Sequence, residues 1–323
     1  MKLIQCLMLL GMSVLLAACG TDQRDSIFKE VKVNVSATES ALNTLNIQLE
    51  QGTLRNAVLL KPYAKLARAN KPEFAQIIDV LASEATREGP TYKQIVQRFA
   101  EVKPLTNAKP ATVAEGQSTN LELLSIRTAI INYDAMLVDA INVLSEFTDG
   151  ALPKMREIEF EDSKAEGGDI GSEYVGNSSY GEWRQNSSGT SFWHWYGQYA
   201  FFSSMFRGPV YYDHWSYNRR PSYYHDRSNG AYTSPSSRRN NSTTLSRTKK
   251  SYSAKGKSFK SPYARNTKIK GVSGSTVRGQ ANKPFKSKYA SSGSSSSSKT
   301  KSYKSSSYNS RSSSSSRSSY GGK

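Results

Sequence analysis

Cysteine is scarce in this 323-residue chain, which has only Cys6 and Cys19, and this excludes a disulfide-stabilised scaffold. Histidine occurs three times, and acidic residues are absent after Asp226. Hydrophobic residues make up 37% of the chain. Globular domains have an apolar share of about 45–50%, in a count that also includes glycine. The composition therefore argues against one domain that fills the whole chain.

The N-terminal segment combines an apolar run with one of the two cysteines. Residues 3–20 carry no charge, and these 18 residues are close to the roughly 20 that cross a bilayer, so an uncleaved anchor is one alternative. Small residues at the end of the run are instead typical of a cleaved secretory signal. The sequence Leu16-Ala17-Ala18-Cys19 resembles the lipobox of bacterial lipoproteins.

This resemblance implies a signal peptide over residues 1–18 and a lipid-modified Cys19 that begins a short tether, residues 19–22. Two or more acyl chains would give stable membrane anchoring, which a single chain does not. Gly20 follows the cysteine where an aspartate would retain an enteric lipoprotein in the inner membrane, so the resemblance favours the outer membrane. No free thiol would remain in the mature chain.

Charge is distributed unevenly along the remaining sequence. Residues 19–150 have a net charge of −2 and residues 151–182 a net charge of −5. Residues 183–323 carry 26 basic and two acidic side chains, a net charge of +24. Such asymmetry indicates separate units and a charged partner.

Residues 23–150 show the apolar periodicity of helices, with heptad spacing over residues 28–49. The pattern predicts an all-α bundle of about four to five helices with coiled-coil-like packing. Its last helix is expected to begin at a capping box, Thr119 and Glu122, and to continue unbroken to residue 147. We expect Tyr63 and Tyr133 in the core, and Asp134 and Asp139 on the solvated surface. This domain is a candidate docking surface for a protein partner.

The next two segments differ sharply in composition. Residues 151–182 are predicted to form an acidic linker, with an intramolecular contact to the basic tail as the alternative. Residues 183–226 contain all four tryptophans, and 14 of the 33 residues from 192 to 224 are aromatic. This aromatic-rich segment could complete the core of the bundle, lie in a bilayer interface or stack on sugar rings.

The histidines of the aromatic-rich segment are weak candidates for metal ligands. Imidazole and carboxylate groups are common ligands of zinc and other divalent ions, but the spacing here matches no known motif. The sequence therefore predicts no catalytic residue, no metal site and no cofactor. The candidates are His194, Asp213, His214, His225 and Asp226.

Residues 227–323 are predicted to form a long disordered tail that is rich in Ser, Lys, Arg and Tyr. Residues 231–323 contain 31 serines, and the few apolar residues among them cannot offset the conformational entropy that ordering the chain would cost. No acidic residue of this tail opposes its basic charge. An anchored tail outside the cytoplasm would not meet cytoplasmic nucleic acid. Its expected partners are anionic polysaccharide, lipopolysaccharide, peptidoglycan or a membrane surface.

Together these observations predict a non-enzymatic, lipid-anchored protein of the cell envelope with a docking or scaffold role. Two alternatives remain open. One is a metal-dependent envelope enzyme that uses the histidines and aspartates of the aromatic-rich segment. The other is an accessory subunit of an envelope transport or assembly complex.

Overall fold

Most of the described chain is helical, as the apolar periodicity predicts. The computed structural model describes the backbone of residues 2–155, 157–160, 168–260 and 267–270, and the side chains of residues 23–155 and 168–260. The α-helices are α1 Lys2–Gln51, α2 Arg55–Asn70, α3 Ala75–Ser83, α4 Pro90–Val102, α5 Val113–Ile131, α6 Tyr133–Glu146, α7 Tyr212–Asn218, α8 Tyr223–Asp226 and α9 Pro235–Ala254. The strands are β1 Glu157–Phe160, β2 Gly181–Gln185, β3 Ser191–Trp195 and β4 Thr267–Lys270, and short 3₁₀ helices cover Pro72–Phe74, Lys103–Thr106 and Gly197–Met205.

Helices α1 to α6 form the bundle. The most extensive contact joins α1 to α5, and α2 packs on α6 while α4 packs on α5. Tyr63 and Tyr133 are buried, which confirms their predicted core positions. The bundle nevertheless has six α-helices rather than four to five, because the long last helix is divided into α5 and α6.

The division of the last helix falls at Asn132. The side-chain amide of Asn132 donates to the Thr128 carbonyl, and α6 restarts at Tyr133. The predicted capping box was also wrong. Helix α5 begins earlier, where the Thr112 hydroxyl accepts from the Glu115 main-chain N–H. A Thr-x-x-Glu pattern therefore does cap this helix, but its residues are Thr112 and Glu115 rather than the predicted Thr119 and Glu122.

The aromatic-rich segment begins with an antiparallel hairpin. Strands β2 and β3 pair with Trp183 opposite Trp193 and Gly181 opposite Trp195. Alternate residues point inward, so Trp183, Trp193 and Trp195 are all buried against the bundle. Gly189, at a φ of +79°, closes the hairpin in a conformation that β-branched residues avoid.

The acidic linker is shorter than predicted. Each residue from 171 to 180 is buried, and Tyr174, Val175 and Tyr180 belong to the same hydrophobic cluster as the bundle. Gly168 is buried as well. The prediction of a solvated linker was therefore wrong for this part, and residues 156 and 161–167 lie outside the described residues.

The disordered tail does not begin at residue 227. Helix α9 occupies Pro235–Ala254, and its Ser234 N-cap hydroxyl accepts from the Ser237 N–H. Thr244 is buried, and Leu245 packs against the core cluster. A basic, serine-rich composition did not prevent order here because one face of the helix rests on an aromatic surface. The tail residues 261–266 and 271–323 lie outside the described residues.

Strands β1 and β4 connect the acidic segment to the basic tail. They pair antiparallel, with Glu157 opposite Lys270 and Glu159 opposite Lys268. The register thus places acidic and basic residues at matching positions across the ladder. It agrees with the alternative interpretation of the acidic segment as an intramolecular partner of the tail.

Candidate functional site

The tryptophans belong to the interior rather than to a binding surface. Trp183, Trp193, Trp195 and Trp215 are 2–7% exposed and join the bundle residues in one hydrophobic cluster. The ring centroids of Trp183 and Trp193 lie 5.1 Å apart, and those of Trp183 and Trp215 lie 5.3 Å apart. Of the three interpretations, completion of the core describes the indoles, because rings this buried cannot reach a bilayer or a sugar.

The five candidate metal ligands have other partners or lie apart. Asp226 forms an ion pair with Arg219, which is fully buried, at 2.6 Å. His225 Nε2 lies 2.8 Å from the Val175 carbonyl oxygen. Among the residues that the structure describes, no group of three or more His, Cys, Asp or Glu residues could hold a metal ion.

The remaining three candidate metal ligands also have local partners or lie apart from one another. Asp213 accepts a hydrogen bond of 2.9 Å from the Tyr252 hydroxyl, which ties α9 to the start of α7. Exposed His214 lies 3.0 Å from the Asn218 amide, within the same helix. His194 is half-buried on β3, opposite Glu182. These side chains stabilise local structure and are not brought to a common point.

A buried polar layer joins α6 to the aromatic-rich segment. The Asp139 carboxylate accepts hydrogen bonds from the main-chain N–H groups of Tyr223, at 2.8 Å, and Tyr224, at 3.0 Å. Burial raises the pKa of Asp139 to about 8, despite these bonds. The prediction of a solvated Asp139 was therefore wrong. Burial likewise raises the pKa of Glu173 to about 7, and burial together with nearby Arg219 lowers that of His225 to about 3.

A second buried carboxyl connects the bundle to the buried residues that precede β2. Glu84, which is 1% exposed, accepts from the Tyr180 hydroxyl at 2.5 Å and from the Thr91 hydroxyl at 2.8 Å. The Tyr133 hydroxyl donates to the Glu84 carbonyl at 2.9 Å. Burial raises the pKa of the Glu84 carboxyl. These bonds tie the turn between α3 and α4 to α6 and to the residues before β2.

The first turn of α9 is fixed to the bundle by a buried ion-pair network. Arg98, 3% exposed, contacts Glu122 at 2.7 Å and donates to the Ala231 carbonyl at 2.5 Å. Arg238 reaches the other carboxylate oxygen of Glu122, also at 2.7 Å. Two cations on one buried carboxylate hold the helix in a defined orientation. Sequence reasoning placed Glu122 in a capping box and missed this function.

The outward face of α9 is cationic. Arg239, Arg247, Lys249 and Lys250 are all exposed, and none has an acidic partner within the described part of the chain. At 100° per residue, Arg239, Lys249 and Lys250 lie on the side of the helix opposite Thr244, whereas Arg247 lies about 60° from Thr244, at the edge of the buried face. Within the described part of the chain, α9 therefore displays four exposed positive charges that no acidic side chain neutralises. Ser234 followed by Pro235 at the first helical position was the sequence signal that could have identified α9.

A polar groove of about 420 Å³ lies beside the start of α9. It is bordered by α4, the turn at residues 178–179, the segment 196–199 and residues 234–237. The Gln94 amide at its floor donates to the Ser178 hydroxyl at 2.6 Å and accepts from Ser179 at 2.6 Å. No motif in the sequence indicated this groove, because its sides come from four distant segments.

The side chain of Cys19, the predicted lipid attachment site, lies outside the described residues. Among the described residues, no helix combines the length and the hydropathy that crossing a membrane requires. Comparison with known proteins finds no matching family model, no matching curated protein and no matching solved structure.

Proposed function

We propose that this protein is a non-enzymatic, lipid-anchored component of the cell envelope that binds an anionic polymer through α9 and the basic residues that follow it. The observation that carries the proposal is the outward face of α9, whose four exposed cations have no acidic partner among the described residues. The lipobox-like sequence that ends at Cys19 supports anchoring, with the outer membrane favoured.

The rigidity of α9 supports binding rather than simple solubilisation. Its inner face is held by Thr244, by the Tyr252–Asp213 hydrogen bond and by the Arg238–Glu122 ion pair. A pre-ordered cationic face does not incur the entropy of ordering when it meets a polyanion. The helix presents its charges at fixed spacing, whereas a flexible tail would spread them over many conformations.

The test is cosedimentation of the detergent-solubilised full chain with purified peptidoglycan across a salt series. Replacing Arg239, Arg247, Lys249 and Lys250 by glutamine removes four cations but no packing contact. By analogy with polyelectrolyte binding, the slope of log K against log salt should become shallower by about 3. Affinity at low salt should fall in parallel.

A matched control replaces four exposed lysines of the bundle, Lys29, Lys32, Lys61 and Lys65, by glutamine. The control has the same net charge as the α9 variant, so an effect of total charge would appear in both proteins. The proposal requires that only the α9 variant changes the salt slope. Equal slopes in both variants, or no binding of the unmodified protein at low salt, would contradict it.

A further inference from the structure

The polar groove beside α9 has the chemistry of a site for a hydroxyl-rich ligand. Its volume of about 420 Å³ lies within the range of about 300–1,000 Å³ that small-molecule sites occupy. Such sites are usually apolar with a few polar groups, whereas amides and hydroxyls dominate here. The side chains that the argument uses are Gln94, Gln97, Gln198, Ser236, Tyr196 and Tyr199.

The cations around the groove are paired within the protein. Lys93 forms an ion pair with Glu88 at 2.7 Å, and Arg98 is paired with Glu122. The carboxylate of Glu101 accepts a hydrogen bond of 2.9 Å from Gln97. A ligand in the groove therefore meets no unopposed cation, and the Glu101 carboxylate, which has no cationic partner among the described residues, disfavours an anionic ligand. This distinguishes the groove from the outward face of α9 and favours an uncharged ligand.

Two half-buried tyrosines supply apolar faces. The Tyr199 ring is braced by Tyr180, with centroids 5.1 Å apart, and by Phe202, at 6.4 Å. Tyr196 is held by its main-chain N–H, which donates to the Tyr180 carbonyl at 2.9 Å. Rigid aromatic side chains give contact area at a small cost in conformational entropy. Saccharide rings combine an apolar C–H face with hydroxyls, and this combination is what tyrosines next to amides can recognise.

We propose that this groove binds a short neutral saccharide, with Tyr196 and Tyr199 contacting the sugar rings and the amides of Gln97 and Gln198 pairing with their hydroxyls. The inference goes beyond charge-driven polymer binding and does not depend on it. Gln94, fixed by Ser178 and Ser179, forms the floor of the groove. Gln97 and Gln198 are exposed, so their amides are accessible to a ligand.

The experiment is a titration of the detergent-solubilised full chain with chitotriose, maltotriose and a neutral tripeptide, followed by saturation-transfer difference NMR. At least one saccharide should bind, and its Kd should change less than twofold between 50 and 500 mM salt, because hydrogen bonds and ring contacts are screened little. The double variant Gln97→Ala, Gln198→Ala should weaken binding at least tenfold. The α9 variant with four glutamines should bind the saccharide normally, which separates this proposal from the previous one.

Gln117→Ala is the matched control, since Gln117 is an exposed helical glutamine on α5 and does not line the groove. Tyr199→Ala should abolish binding, and tryptophan fluorescence of the buried cluster reports whether that variant remains folded. Binding of neither saccharide at 10 mM would overturn the proposal. Binding of the tripeptide alone, or unchanged saccharide affinity in the double variant, would also overturn it.

Discussion

Asp139 should make the stability of this protein decline as pH rises toward 8. Its carboxyl has an ordinary pKa of 3.8, which burial raises to about 8 in the folded state. The folded protein therefore holds a proton that the unfolded chain has released. The stabilising contribution is complete below pH 3.8 and is lost as pH rises through 8. Each pH unit in this interval costs about 1.4 kcal/mol, so raising the pH from 5 to 8 should cost about 4 kcal/mol.

The variant Asp139→Asn isolates this contribution. An asparagine has nearly the same shape and does not titrate, so the stability difference between the two proteins should shift by about 4 kcal/mol between pH 5 and pH 8. Relative to the variant, the unmodified protein is most stable at pH 5. Glu173 and His225 titrate in both proteins and therefore cancel to first order. The variant also alters the hydrogen bonds to Tyr223 and Tyr224, which should change the free energy of unfolding by the same amount at every pH. This change leaves the slope of stability against pH unaffected.

The assay is urea denaturation of the full chain in detergent at a series of pH values, followed by tryptophan fluorescence. All four tryptophans belong to the buried cluster that also contains the apolar residues of α6, so their emission reports the unfolding of this core. Asp79→Asn serves as the control, because Asp79 is an exposed carboxylate on α3 that is paired with Arg68. The reasoning fails if the Asp139→Asn and unmodified curves run parallel within about 0.5 kcal/mol, which would mean that Asp139 is ionised in the folded protein.

Three further outcomes are expected. Arg219→Leu should lower the free energy of unfolding by about 3–5 kcal/mol because it leaves the Asp226 carboxylate buried without its cation, and additional replacement of Asp226 by leucine should restore part of the loss in urea denaturation. Tyr180→Phe should cost about 1–3 kcal/mol in the same assay, since Glu84 loses its 2.5 Å donor; an unchanged midpoint would show that the bond contributes little. Cys19→Ser should abolish incorporation of labelled fatty acid, and persistent labelling of that variant would refute the anchor.

The helical bundle was accessible from the sequence because its signal is local. Apolar residues three and four positions apart identify a helix whatever the rest of the chain does, and Tyr63 and Tyr133 were placed in the core for this reason. The break at Asn132 was missed because it depends on one hydrogen bond, from the Asn132 side chain to the Thr128 carbonyl. The spacing of the apolar residues continues unchanged across the break. Asp139 was misplaced because its partners lie 84 and 85 residues away, at Tyr223 and Tyr224.

The candidate surfaces were harder to predict because they depend on tertiary contacts. Composition predicted disorder from residue 227, and nothing local in Thr244 or Leu245 shows that an aromatic surface lies beneath them. The groove requires Gln94 and Ser178 to meet, although they are 84 residues apart. Charge, by contrast, is additive along the sequence, so the basic character of the tail could be predicted, while the surface on which its helix packs could not.

The dependence of Glu84 on Tyr180 has a consequence for the time course of folding during synthesis. The two residues are separated by 96 positions, and chains are synthesised at about 5–20 residues per second. Glu84 is therefore made about 5–20 s before the hydroxyl that its buried carboxyl needs, and the bundle, which ends at Glu146, is complete in sequence about 2–7 s before it. During that interval the side of the bundle that the tryptophans later cover is exposed to solvent. A nascent chain that is arrested near residue 150 should accordingly be the species most dependent on chaperones.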